Sequence, residues 1–296
     1  MKCGFVAIAG RPNAGKSTLL NALFNEKLAI VSNKPQTTRS EIRGILNEPD
    51  TQIIFTDTPG IHKPKHRLET RMNKEASNVI QGVDLIYLVV DISTSFAKGD
   101  EFVLRMVEQT GLPVFLILNK IDKLPKEKVL KNLLEWQKRF SFTEIFPISA
   151  LEQDNFTDLI ETTKKYLPES EPLYPVDINT DESENFRIAE IIREKILLSA
   201  EEEVPHATAV IVENKEEKEK SIYIQAMILV ERQGQKAILI GKQGSMLRKI
   251  NMSATQDLEI LLGKKVKLEL FVRVEEEWRD RDSRITEYGY GHIDEW

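Results

Sequence analysis

A short apolar run, Phe5-Val6-Ala7-Ile8-Ala9, leads into Gly10-Arg11-Pro12-Asn13-Ala14-Gly15-Lys16-Ser17. The residues behind it, Thr18-Leu19-Leu20-Asn21-Ala22-Leu23-Phe24, carry apolar side chains at helical spacing. A buried strand, a glycine-bounded loop ending in Lys-Ser and then a helix are the context a phosphate-binding P-loop requires. Glycines at 10 and 15 let the backbone curl so that successive amides point inward at anionic oxygens. The helix adds its unpaired N–H groups and the positive end of its dipole. Lys16 would neutralise charge on β- and γ-phosphates, and the Ser17 hydroxyl would ligate Mg²⁺. The stretch from Gly10 to Thr18, with Arg11, Pro12, Asn13 and Ala14 inside it, is expected to wrap a nucleotide.

A chain of 296 residues is long for one core and comfortable for two domains. At 41% hydrophobic and 30% charged, it has the composition of a soluble globular protein rather than a disordered one. Cys3 is the single cysteine, so no intrachain disulfide can form, which fits a reducing cytosol. No apolar run approaches the ~20 residues of a membrane-spanning helix. Met1-Lys2-Cys3-Gly4 enters the first strand almost at once, and no signal peptide is expected. A net charge of −6 argues against a protein that coats nucleic acid non-specifically, while leaving room for a local basic patch. His62, His66, His206 and His292 make no zinc-ligand pattern, and His62 and His66 are expected to be solvated loop residues.

After the P-loop helix, Pro35 and its polar neighbours read as a loop. Glu41–Leu46 and Gln52–Thr56 read as a hairpin that ends in Asp57-Thr58-Pro59-Gly60. An aspartate at a strand end in this context reaches Mg²⁺, and the Gly60 amide can approach a γ-phosphate. The apolar runs Leu85–Val90 and Pro113–Leu118 read as buried parallel strands. The second ends in Asn119-Lys120-Ile121-Asp122. A carboxylate at 122 can accept from both guanine N1–H and the exocyclic amine, a donor pair that adenine lacks. Asn119 would fix the loop, and the Lys120 stem would lie along the base. A further strand, Glu144–Ile148, leads to Ser149-Ala150-Leu151, where the Ala150 amide is expected at guanine O6. Helical periodicity fills the spacers at 101–107, 129–140 and 156–167. Alternating strands and helices give a doubly wound sheet with every motif beyond a strand's carboxyl end, where such sheets bind ligands.

These motifs, in this order, specify a GTP-binding domain. Ile61 stands where glutamine-dependent GTPases place the residue that orients the attacking water. Catalysis must then rest on positioning and charge, with Lys16, Thr38 and Gly60 as the groups involved. Thr37-Thr38-Arg39 resembles the switch I element in which the second threonine binds Mg²⁺. The metal set is therefore Ser17, Thr38 and Asp57. Asn13 is typical of P-loops that use K⁺ as an additional charge.

Prolines 168, 172 and 175 interrupt all periodicity, so domains at 1–168 and 185–296 are expected, joined by a linker at 169–184. The second half reads as an amphipathic helix from Phe186, capped by Ser183 or Asn185, and then strands at 208–212 and 221–230. Glu213–Lys220 is expected as a solvated hairpin loop. Two helices follow, broken at Gly241-Lys242-Gln243-Gly244, then a strand at 266–272 and a polar tail after Trp278. The order α-β-β-α-GxxG-α-β is that of an α-first, or type II, KH domain of α+β class. Its glycines let a nucleic-acid backbone lie close to the loop amides. From Arg232 to Gln256 there is no acidic residue, while Arg232, Lys236, Lys242, Arg248 and Lys249 are basic. The RNA-contacting set is Ile240, Gly241, Lys242, Gln243, Gly244, Arg248 and Lys249, beside a groove lined by Ile238 and Ile240.

Over nearly its whole length the chain resembles the bacterial Era GTPase family. The carrying residues are Gly10–Ser17, Lys34–Arg39, Asp57–Ile61, Asn119–Asp122, Ser149–Leu151, Glu202–His206, Ile240–Gly244 and Trp278–Tyr290. The resemblance implies a cytoplasmic, monomeric 30S-assembly factor that binds GTP, GDP and the 3′ region of 16S ribosomal RNA. It also implies peripheral contact with the inner membrane. Ala14 in place of the usual Val, the missing glycine at 153–155 and the acidic end Asp294-Glu295-Trp296 depart from the pattern. Rival readings are an RNA-binding protein with a purely structural nucleotide site, or a signalling GTPase whose second domain binds protein. Without a partner, single-turnover GTP hydrolysis should be slow and faster in KCl than in NaCl. Rates matching a partner-stimulated GTPase, or equal rates in the two salts, would contradict these expectations.

Overall fold

The structure is a computed structural model and describes residues 1–290; the acidic end at 294–296 and His292 lie outside the described residues. Two compact units are present, the first holding Met1–Lys65 and Glu69–Asp181, the second holding His66–Leu68 and the described residues from Glu182 on.

In the first unit the chain runs β1 (Lys2–Gly10), α1 (Lys16–Phe24), β2 (Ile42–Glu48), β3 (Thr51–Asp57), α2 (Arg67–Gln81) and β4 (Leu85–Asp91). It continues through α3 (Lys98–Glu108), β5 (Val114–Asn119), α4 (Lys126–Gln137), β6 (Glu144–Pro147) and α5 (Phe156–Tyr166). The strand order is β2-β3-β1-β4-β5-β6, antiparallel only between β2 and β3. β1, β4 and β5 are buried almost end to end, which is why they read as unbroken apolar runs. One face carries an aromatic row in which Phe55, Tyr87 and Phe115 have successive ring centroids 5.7 and 5.9 Å apart. Opposite it, Ala7, Ala9, Ile86, Leu88, Leu116 and Leu118 pack against Ala76, Ile80, Val103 and Trp136. α2 is an element that a motif-led reading passes over, although Met72, Ala76 and Ile80 recur at four-residue spacing and are fully buried.

The segment after α5 is not loose. Cys3 N donates to Pro168 O at 3.0 Å, and Ser170 N to Met1 O at 3.1 Å. Gln52, fully buried, accepts from the Leu173 and Tyr174 amides at 2.8 and 2.9 Å. Its Nε2 donates to Tyr174 O at 2.9 Å. Further along, Ile45 N donates to Asn179 O at 2.8 Å and Asn47 Nδ2 to Ile178 O at 3.1 Å. Arg43 reaches Tyr174 Oη and Asp181 Oδ2 at 3.3 and 3.0 Å. Residues 169–181, expected as linker, are thus strapped to β2 and β3.

The second unit comprises α6 (Glu184–Ser199), β7 (Ala209–Glu217), β8 (Ser221–Val230), α7 (Gln233–Ile240), α8 (Ser245–Leu262), β9 (Lys265–Val274) and α9 (Asp282–Glu287). Its sheet has the order β7-β8-β9, antiparallel then parallel. Ser183 caps α6 by accepting from Phe186 N at 3.2 Å.

Three expectations are corrected here. Glu213–Lys220 is mostly strand rather than loop, because β7 bulges at Val212/Asn214 and stays paired with β8 as far as Glu217. Its charges stand on exposed positions, where Lys215 pairs with Glu184 and Lys264 with Glu217. α6 is not simply amphipathic, since Arg193 is fully buried and bonded to Glu190 at 2.7 and 2.6 Å. The residues after Trp278 are no solvated tail: Trp278 is fully buried, its Nε1 donates to Ala207 O at 2.9 Å, and Tyr288 and Tyr290 pack against its ring.

Gln52→Ala should leave the Leu173 and Tyr174 amides without acceptors, at a cost of about 1–3 kcal/mol. Limited proteolysis with a glutamate-specific protease should then cut after Glu169 much faster than in the parent protein.

Candidate functional site

Between β1 and α1 the P-loop closes tightly. Gly15 has φ +97°, and a Cβ there would lie 2.2 Å from Asn119 Nδ2, so a side chain has no room. Lys16 is 6% exposed, and its Nζ rests on the carbonyls of Gly10 and Arg11 at 3.3 and 3.2 Å. Asn13 adopts φ +64° and its Nδ2 donates to Asn33 O in the following loop at 2.8 Å.

Close to Lys16, three oxygens converge. Ser17 Oγ lies 2.6 Å from Asp57 Oδ2 and 2.9 Å from Thr38 Oγ1, and Thr38 Oγ1 lies 3.3 Å from Asp57 Oδ2. The second carboxylate oxygen, Asp57 Oδ1, is buried with no hydrogen-bond partner. Burial pushes the Asp57 carboxyl up, against the pull of Lys16, Ser17, Thr38 and the Thr58 amide. Burial also pushes the Lys16 ammonium down, against the attraction of Asp57. Buried charges with spare ligating capacity need counter-charges. The oxygen set fits a hard divalent cation of the Mg²⁺ type, and the ammonium fits an anionic phosphate. Ser17, Thr38 and Asp57 would hold that cation, which supplies charge neutralisation at phosphate oxygens when bound.

At the far end of the pocket, Asn119 is 1% exposed and fully engaged. Its Nδ2 donates to Ala14 O at 2.9 Å, and its Oδ1 accepts from Lys120 N at 2.8 Å and Ala150 N at 3.0 Å. The Ala150 amide, expected at guanine O6, is instead directed at Asn119, because the 149–151 turn folds back onto that side chain. Ser149 Oγ donates to Asp122 Oδ1 at 2.6 Å and so orients the carboxylate expected to read the base. Lys120 Nζ donates to Asp91 Oδ2 and Asn13 O, both at 2.6 Å. Partial burial would raise Asp91, yet Lys120 and Ser93 hold its carboxyl below the usual range.

A cavity of about 290 Å³ joins these parts. Pro12, Asn13, Gly15, Lys16, Ser17, Thr18, Thr38, Gly60, Asn119, Lys120, Asp122, Ala150 and Leu151 line it, as expected. Gly10, Arg11, Ala14, Asp57, Thr58, Pro59 and Ser149 do not form its wall. Arg11 turns away to Asp100 at 2.8 Å, and Thr58 Oγ1 is anchored on Ile8 O at 2.9 Å. Residues Ile30, Val31, Ser32, Asn33, Gln36, Thr37 and Lys123 complete the lining. Thr37 stands inside the Thr37-Thr38-Arg39 element already singled out, and only their place in loops beside recognised motifs could have pointed to the others. Ile61 is 2% exposed and belongs to the core, with no polar atom to offer a water. His62 is only partly exposed rather than solvated; its Nδ1 lies 3.1 Å from Lys63 O and its Nε2 is buried.

In the second unit, Gly241 (φ +71°) ends α7 and Gly244 (φ +77°) starts α8. A Cβ on Gly244 would meet nothing within 4 Å, so the loop is open to a close-approaching chain. Lys242, Gln243, Arg248 and Lys249 are exposed around it, Ile240 is half-buried and Ile238 is half exposed.

A family model described as a 50S ribosome-binding GTPase matches residues 5–120, and one described as a KH domain matches residues 203–279. GTPase Era of Clostridium kluyveri is 48% identical over 98% of this chain and 99% of its own. The chain belongs to the GTPase Era family. Two solved Era structures superpose on it. An Aquifex aeolicus Era variant bound to GDP and AlF4⁻ is 40% identical with a TM-score of 0.94, covering 98% of this chain and 99% of its own. An Era bound to MgGDPNP and nucleotides 1506–1542 of 16S ribosomal RNA is 41% identical, with a TM-score of 0.95 and the same coverage. Era membership makes the first unit a GTPase domain and the second a KH domain, a P-loop α/β fold followed by an α+β one.

Asp122→Asn should weaken GTP binding by about 100-fold, since a charge-assisted pair of bonds is lost. The same change should improve binding of xanthosine triphosphate, whose C2 carbonyl can accept from an amide. Competition titration with both nucleotides checks this.

Proposed function

We propose that this Era-family GTPase binds single-stranded RNA at the 3′ end of 16S ribosomal RNA through its KH domain and acts in assembly of the 30S subunit. One observation carries the proposal: the chain matches, over 98% of its length, an Era holding that RNA with MgGDPNP, and its own GxxG loop is open and basic. The broad GTPase model names the 50S subunit, but 16S RNA belongs to the small one, and the full-length match outweighs a partial model.

Lys16 would stabilise charge on the transferring phosphoryl group, and the Gly60 amide would approach it. Thr38 would join Ser17 and Asp57 around Mg²⁺. Since Ile61 is committed to the core, slow hydrolysis is the expected intrinsic state. GTP would order the 30–40 loop and hydrolysis would release the factor, which requires different RNA affinities in the two nucleotide states. K⁺ near Asn13, a cytoplasmic monomer and peripheral contact with the inner membrane remain parts of the proposal. Among the described residues no helix is long and apolar enough to cross a membrane. A structural-only nucleotide site is disfavoured by the intact Lys16, Ser17, Asp57 and Asp122. A protein-binding second domain is disfavoured by the acid-free window from Arg232 to Gln256.

Binding of the 3′ RNA segment should weaken with salt, and Lys242→Glu should flatten the log–log slope by about 0.7 or more. GTP hydrolysis without RNA should not change. Unchanged RNA affinity in Lys242→Glu, or equal affinity in the GDP and GTP-analogue forms, would count against the proposal.

A further inference from the structure

α2 does more than cover the sheet. Glu69, in its first turn, is 4% exposed, and both carboxylate oxygens are occupied by neighbouring loops. Oε1 accepts from Gln36 Nε2 at 2.7 Å. Oε2 accepts from Lys65 N at 2.5 Å and lies 4.0 Å from His62 Nδ1. Gln36 is two residues before Thr38, holds a left-handed backbone at φ +61° and lines the nucleotide cavity. Lys65 lies near the end of the loop, residues 58–66, that contains Gly60. One carboxylate therefore ties the loop carrying the metal-facing threonine to the loop carrying the γ-phosphate-facing glycine.

Neighbouring residues of α2 reinforce the arrangement. Asn73, one turn after Glu69, donates to His62 O at 2.7 Å and accepts from His62 N at 3.4 Å. Glu75 Oε1 accepts from Glu41 N at 2.5 Å, so the Thr38 segment is held on both sides, at 36 and at 41. An N-terminal glutamate that caps its own helix would account for the Lys65 bond. It would not account for the bond to Gln36, which comes from 33 residues away.

We infer that Glu69 is a positioning residue for GTP hydrolysis: by joining Gln36 to the 60–65 loop it makes the two loops move as one and holds Thr38 and Gly60 in register. In a chain whose water-orienting position is a buried isoleucine, such fixed geometry is what remains to favour the transition state. Glu69 touches neither nucleotide nor metal, so it acts only through the residues it holds.

The test is a partner exchange in the full chain. Glu69→Ala and Gln36→Ala should each lower kcat about tenfold with KM within about twofold, and the double variant should lose little more than either single one. In Glu69→Ala, which leaves the cavity wall intact, GDP affinity should stay unchanged, while preference for a GTP analogue over GDP falls. Amide exchange across residues 32–40 and 61–65 should rise together in either variant. Gln36→Glu alone should be as impaired, because two carboxylates then face each other. Gln36→Glu combined with Glu69→Gln restores an acceptor for both donors, and kcat should recover to within about threefold of the parent. Additive losses, parallel loss of GDP affinity, exchange confined to one loop, or no recovery in the exchanged pair would overturn the inference.

Discussion

Asn119 sits at the end of β5 with a two-atom polar head and no solvent, and both atoms are committed to backbone. Through Nδ2 it holds the carbonyl of Ala14; through Oδ1 it gathers the amides of Lys120 and Ala150. Three loops from distant parts of the sequence are thereby locked together at one point. A buried amide leaves unpaired groups behind if any of those loops drifts, so the lock is cooperative. The P-loop and the Asp122 carboxylate inherit their separation from it. Gly15 is part of the same lock, since any side chain there would occupy the space of the asparagine amide.

The opposite end of the pocket works by charge instead. Burial pushes the Asp57 carboxyl up and the Lys16 ammonium down, against their mutual attraction, so each gains from a further counter-charge. A metal–triphosphate carries both signs in one ligand and satisfies both residues at once. On the proposed assignment, specificity for the base and affinity for the phosphates would have separate physical origins, joined through the P-loop.

Much of this was legible in the chain itself. Gly10–Ser17, Asp57–Gly60 and Asn119–Asp122 each follow an apolar run, and a parallel sheet places all such strand ends on one edge. What local pattern could not show are contacts that depend on distant partners. Nothing in the neighbourhood of Ala150 reveals that its amide meets Asn119, 31 residues earlier. β7 was cut short since Glu216 and Glu217 look like a solvated turn until β8 is present to pair with them. Arg193 looks like a polar face until Glu190 encloses it, and Trp278 like the start of a tail until Ala207 accepts its indole N–H. Asp91, which steadies Lys120, carries no motif at all. The helix at 67–81 escaped notice because its apolar residues, no more numerous than its charged ones, form no continuous run.

β2 is the outermost strand of the first sheet, and an outermost strand ordinarily offers a row of unmated backbone groups to any passing chain. Here Asn179 accepts the Ile45 amide, and Ile178, Tyr174 and Asp181 take up side chains on either side. Residues 174–181 of the first unit therefore work as a selvedge, finishing the border of the sheet with the protein's own chain. An exposed border would invite a second copy to stitch on; a hemmed one keeps the molecule from fraying into aggregates.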